Sequence, residues 1–267
     1  MLKEISVDSA QVAGTLARVW WPLLRVGGFV LTAPIVGSST VPRSARIGFS
    51  VALALLLAPV VAAPADLNIF SGHGVLASVN QLLIGVAIGL TAQLLFDALA
   101  LAGQTISMTM GLGYATLVDP QRGANTAVLG QMFTILGTLV YLSLNGHLAL
   151  LGSFVRSFES MPIGVEVVGR NFFGSIAAWG AHVFESGLLI ALPATVALII
   201  VNLALGVVTR AAPQLNLFGI GFPITMLAGF FVLIVGLDSV FTGINGLIET
   251  TLIRAAEVAS GTGTETH

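Results

Sequence analysis

Five ionisable side chains, Arg18, Arg25, Asp97, Glu185 and Asp238, lie inside stretches that otherwise carry no charge. Such residues are costly in lipid and face protein or water instead. Buried in this way, they could form internal ion pairs, line an aqueous path or meet a second subunit. Arg18 and Arg25 are seven residues apart, so a helix places them on one face. The four histidines have no metal-ligand spacing, and no HExxH, GxSxG or P-loop pattern occurs. His147, in "NGHLALL", has no second histidine or paired acid nearby in sequence and reads as structural or helix-terminal. The absence of cysteine excludes disulfides and thiolate metal sites. The residues therefore predict no catalytic centre, no metal and no cofactor.

Two of the polar segments that interrupt the apolar runs combine prolines, glycines and hydrogen-bonding side chains. The first, "GLGYATLVDPQRGANTAVLG" (111–130), places glycines, a proline, an acid and a base near mid-chain. The second, "PQLNLFGIGFP" (213–223), is bracketed by Pro213 and Pro223, and Gln214 and Asn216 must find partners if buried.

The elements that position these residues follow from composition. Hydrophobic residues make up 56% of the 267, charged residues only 8%, and the mean hydropathy is +0.99. Soluble domains carry about 25% charged residues, so this chain cannot cover a water-facing surface. A net charge of −2 leaves no footprint for nucleic acid. Lys3, Glu4 and Asp8, with Arg18 and Arg25 following, do not make the start a convincing signal peptide. The class is a polytopic membrane-type protein.

A spanning helix needs about 20 apolar residues, and the runs are too long and uniformly apolar for barrel strands. The pattern predicts helices near 11–36, 46–63, 74–105, 126–155, 172–209 and 217–250. "GSSTVPRSAR" (37–46), "APADLN" (63–68), the central loop, "SMPIGVEVVGRN" (160–171) and "TRAAPQLN" (209–216) separate them. Pro22, Pro34, Pro193 and Pro223 should kink or divide helices, and Asn145-Gly146 should bend or break the fourth. "GVAIG" (85–89) is a GxxxG match that permits close helix contact. Trp20-Trp21 reads as an interfacial anchor or as ordinary packing. Loop charges tie: Arg43, Arg46, Arg122 and Arg210 on one side oppose Lys3, Arg156, Arg170 and Arg254 on the other. The positive-inside rule gives no orientation: either the signal is weak because the protein is small, or partner subunits rather than its own charges position the chain. The fold class is all-α, with long, kinked helical hairpins. The tail "GTGTETH" (261–267) is polar and expected to be disordered.

Three stretches, "GLGYATLVDPQRG" (111–123), "LNGHLALLGSFVRSFESMPIG" (144–164) and "RAAPQLNLFGIGFPIT" (210–225), together resemble the FliR/SctT family of type III secretion export-gate subunits. The order and spacing match over essentially the whole chain, and the Asn145-Gly146-His147 start of the second stretch resembles the flagellar branch. At the aromatic positions of the central loop the chain has Tyr114 but an aliphatic Leu117.

The resemblance implies one subunit of the flagellar export gate in the bacterial inner membrane, within the basal body. FliP and FliQ would complete a pore for unfolded flagellar substrates, FlhB would be a further contact, and membrane lipid would surround part of the chain. Residues 1–165 would be FliP-like and 170–255 a FliQ-like hairpin. The central loop, about 106–123, would be re-entrant and plug the lumen; read without the resemblance, it is an ordinary surface loop between helices. Met108, Met110, Tyr114, Leu117 and Val118 would give the apolar closure, with Gly111 and Gly113 supplying backbone freedom. Pro120 would end the preceding helix, and Asp119 and Arg122 would pair or face lumenal water. Pro213, Gln214, Asn216, Phe218, Gly221 and Pro223 would form a hairpin turn against adjacent subunits. A secondary transporter would also use broken helices and buried ions, but no internal repeat is found. A membrane scaffold would share the packing features without needing a lumenal loop.

Overall fold

The computed structural model describes residues 9–38, 40–61, 69, 71–112, 128–164, 170–211 and 221–261. Among these, eight α-helices and no strand form: α1 (Ser9–Thr32), α2 (Arg43–Leu57), α3 (Gly72–Thr109), α4 (Val128–Ser143), α5 (Gly146–Ser160), α6 (Arg170–Ala211), α7 (Phe222–Val235) and α8 (Leu237–Ser260). The all-α class expected from the apolar runs is what forms.

Helix ends follow local stereochemistry. α1 stops before Ala33-Pro34, where Ile35 takes a positive φ of 68°. α2 ends at Leu57, short of the expected 63, because Pro59, just past the C-cap residue Ala58, has no N–H to continue the helical ladder. Pro223 falls in the first turn of α7, where its missing N–H is harmless. Pro22 and Pro193, expected to kink or divide their runs, do not divide them: α1 and α6 continue through both.

Two of the expected helices are instead bent pairs. α4 and α5 meet at 68°, and the break falls at Asn145, whose φ is 55°. Asparagine tolerates this left-handed conformation better than most residues. Gly146 starts α5 under the Tyr141 ring, where its lack of a Cβ allows the contact. α7 and α8 meet at 63° around Gly236. This second break was not anticipated. α3 and residues 174–211 of α6 are each long and apolar enough to cross a membrane, and the bent pairs bring the number to four if each counts as one span. At 1.5 Å per residue, 38 residues extend about 57 Å, well beyond a hydrocarbon core of about 30 Å.

The chain divides into two compact units: residues 1–93, 147–179 and 251–267, and residues 94–146 and 180–250. The first unit has a core of α1, α2, α3, α5, α6 and α8 residues, with Phe29 stacked on Phe154 at 4.4 Å and Phe158 edge-on to Phe154 at 5.7 Å. Backbone contact between α1 and α3 is possible only because glycines face each other. A Cβ at Gly28 would come 3.0 Å from Val86 N, one at Gly85 would come 2.8 Å from Phe29 N, and one at Gly89 would come 2.7 Å from Phe29 O. The GxxxG match at 85–89 is thus a working helix crossing. Thr32 adds a hydroxyl donated to Val86 O at 2.9 Å. The tryptophan pair separates: Trp21 is buried beside Ala77 and Ile163, whereas Trp20 is exposed and donates to Ser78 Oγ at 3.3 Å.

Candidate functional site

In the second unit, the end of α3 leads into the central segment. Glycines again set the contacts around it. A Cβ at Gly103 would sit 2.7 Å from Gly130 Cα on α4, and one at Gly187 of α6 would sit 2.7 Å from Ala98 O. Phe96 and Tyr141 pack edge to face at 5.5 Å.

α3 does not run on to Pro120 but stops at Thr109. Gly111 N–H donates to Met108 O at 3.0 Å and Leu112 N–H donates to Ser107 O at 3.1 Å, while Gly111 has a φ of 84°. This pair of bonds around a left-handed glycine is a Schellman stop, which satisfies the last carbonyls of the helix. The expectation that Pro120 ends this run is therefore corrected: a residue nine positions earlier does so, because glycine carries no penalty for positive φ.

That stop is fastened from two sides. Met110 is fully buried, and its side chain fills the space a Cβ on Gly229 would need, with Met110 Cε only 2.6 Å from that position. Thr225 of α7 donates to Met110 O at 3.3 Å, and Asn202 of α6 donates to Thr109 O at 3.1 Å. The two methionines do not share one apolar face. Met108 is 62% exposed while Met110 is enclosed. Gly113, Tyr114, Leu117, Val118, Asp119, Pro120 and Arg122 lie outside the described residues. So do Pro213, Gln214, Asn216 and Phe218 of the expected hairpin turn. Of that turn, Gly221 forms the N-cap of α7 and Pro223 is exposed in its first turn. His147 is exposed in the first turn of α5.

The five ionisable residues part company. Arg25 alone among them is buried in the chain. Its Nε donates to Gln81 Oε1 at 2.7 Å, Nη1 to Ser157 O at 2.7 Å and Ser157 Oγ at 3.2 Å, and Nη2 to Met161 O at 2.7 Å. The guanidinium also lies 4.1 Å from the Phe158 ring centre. These acceptors are neutral, so the side chain acts as a multi-pronged staple between α1, α3 and the end of α5 rather than as half of an ion pair. Arg18, Asp97, Glu185 and Asp238 are exposed on this chain, which corrects the expectation that they are buried within it. Arg18 shares a helix face with Arg25, but this chain covers that face from Trp21 and Pro22 onward and leaves Arg18 exposed. Asp238 stands in the first turn of α8, where a carboxylate complements the positive helix end.

Sequence reasoning missed Gln81, Ser157, Asn202 and Thr225. The usable signal was a lone amide in an uncharged run, as at Gln81 and Asn202. Among the described residues, no group of three or more His, Asp or Glu could hold a metal ion.

Long apolar helices, glycine-mediated crossings, two sharply bent pairs and a helix stop clasped at its end define an all-α membrane-type protein. The chain matches the bacterial export proteins, family 1, over residues 16–251, and it belongs to that family. Its relatives include the flagellar biosynthetic protein FliR of Escherichia coli (strain K12), 40% identical over 84% of this chain and 86% of the relative. That of Pectobacterium carotovorum subsp. carotovorum is 36% identical over 86% and 87%, and that of Bacillus subtilis (strain 168) 33% identical over 86% and 89%. The family is one of export proteins, and the apolar helices suit a membrane location.

Proposed function

We propose that this chain is a subunit of the flagellar type III export gate. In this reading it assembles with FliP and FliQ into a pore for unfolded flagellar substrates, contacts FlhB, and resides in the basal body at the inner membrane. Residues 1–165 would take the FliP-like place and 170–255 the FliQ-like hairpin. Support comes from the family match and from relatives named FliR along most of the chain. The apolar surface of α6 also favours assembly: Ile200, Leu203 and Val207 are each more than 60% exposed. Such a face needs lipid or another subunit to cover it.

The segment after Leu112 is the plug in this proposal. The observation that carries it is the clasped end of α3, where Met110, Gly229, Thr225 and Asn202 anchor the helix immediately before the segment. A plug needs a fixed root and a movable body, because closure must resist ions yet yield to a substrate. Met108, exposed beside that root, supplies a flexible apolar side chain for the seal, which works by excluding water rather than by a covalent lock.

Deleting 113–122 while keeping Leu112 leaves the root intact. The deletion variant, co-expressed with FliP and FliQ, is expected to assemble in wild-type yield and to raise membrane conductance well above background. The leak should vanish when FliP or FliQ is omitted. Normal assembly with background conductance would remove the plug assignment.

A further inference from the structure

Within the first unit, α1, α2 and α3 enclose an apolar groove of about 520 Å³. Its walls include Gly27, Leu31, Ile47 and Val51, and Arg43 and Arg46 also line it. No carboxylate is among the lining residues. The two arginines are three residues apart in the first turn of α2, a turn that contains no acidic residue and has no side-chain cap. The positive end of the helix therefore adds to two guanidinium charges.

Arg46 is incompletely satisfied. Its Nη1 donates to Gly37 O over a long 3.3 Å, and its Nε is buried with no acceptor. Arginine presents donors in a planar fork suited to phosphate, and a small rotation that releases Gly37 would offer that fork to an anion. The rest of the groove is apolar, and Leu31 and Ile47 are 66% and 65% exposed, as in a surface that meets acyl chains.

We propose that this groove binds an anionic phospholipid, with its phosphate on Arg43 and Arg46 and an acyl chain along Gly27, Leu31 and Val51. Charge complementarity selects this occupant: a zwitterionic lipid brings its own cation to the arginines, and an apolar helix leaves the guanidinium groups unanswered. The assignment is independent of the plug.

The test uses the full chain with the export subunits that co-purify with it, in mild detergent. A photoactivatable phosphatidylglycerol is added, and cross-linked peptides are mapped. Wild-type labelling should concentrate on segments 23–31 and 43–51. A matched phosphatidylcholine probe should label them at least fivefold less. R43Q/R46Q should lower phosphatidylglycerol labelling by a similar factor. Gly27→Leu keeps both arginines and acts on the apolar part alone: a Cβ there meets nothing within 4 Å, so the new side chain enters the groove without a backbone clash. It too should reduce labelling severalfold at unchanged helix content. Equal labelling by the two lipids, or undiminished labelling of Gly27→Leu, overturns the proposal. Loss of labelling on adding millimolar inorganic phosphate would instead assign a free-anion site and overturn the lipid.

Discussion

α3 and α6 look alike in sequence, each offering 38 residues apolar enough to cross a bilayer, yet their best membrane windows are 61% and 17% buried within this chain. Helix α3 is wrapped by its own chain, and Gly85, Gly89, Gly103 and Gln81 are used in internal contacts. Helix α6 keeps its more apolar surface outward. The difference teaches that apolarity fixes only that a helix avoids water; small residues decide which helix the same chain can approach closely. The two units repeat the contrast along α3. Its first half is held by the Arg25 staple and by glycines facing α1, its second by a methionine lodged over Gly229.

Breaking the staple should have the largest effect. Arg25→Ala leaves Gln81 Oε1 and Met161 O without this donor in a buried site. Each stranded polar group costs about 1–3 kcal/mol, so the loss should be roughly 3 kcal/mol or more. Thermal unfolding of the purified complex should show an apparent Tm lower by about 10 °C. Arg25→Lys should recover only part of this, because an ammonium cannot reproduce the fork. A Tm within 2 °C of wild type for Arg25→Ala would make the staple incidental.

The second test separates rigid from yielding contacts along α3. At Gly103 an added Cβ meets backbone, 2.6 Å from Leu129 C, so two helices must part. At Gly229 it meets the flexible side chain of Met110. Gly103→Ala is expected to destabilise by about 1–3 kcal/mol, and Gly229→Ala by clearly less because methionine can change rotamer. Thermal unfolding orders the two; the reverse order would show that Met110 is held rigidly. Gly229→Leu, which must expel Met110, should sharpen the plug proposal by raising conductance with the loop intact.

The third test concerns the bends, and its smallest effect falls at Gly236. Asn145 needs a positive φ and Gly236, at −85°, does not. Asn145→Val should therefore cost about 1–3 kcal/mol through backbone strain, while Asn145→Gly should be near neutral. Gly236→Ala should stay below about 1 kcal/mol, since only the Val232 carbonyl, 3.0 Å from its Cβ, must give way. Equal loss at both positions would mean that strain does not set the bends.

What the sequence determined by itself was local in origin. Composition decided the membrane class, uninterrupted apolar runs decided helices, and Asn145-Gly146 marked a real break, because backbone preference at such pairs needs no distant partner. The same locality explains the errors. Pro120 is a strong breaker, but Gly111 comes first along the chain and closes the helix with bonds from its own last turn. Only the tertiary structure decided that Arg25 is buried and Arg18 exposed, that Trp21 packs while Trp20 does not, and that Met110 is enclosed beside an exposed Met108. Neighbours in sequence share composition and period, but burial depends on which face another helix covers. In this chain that choice is made where Gly28, Gly85, Gly103 and Gly229 let a distant segment come close.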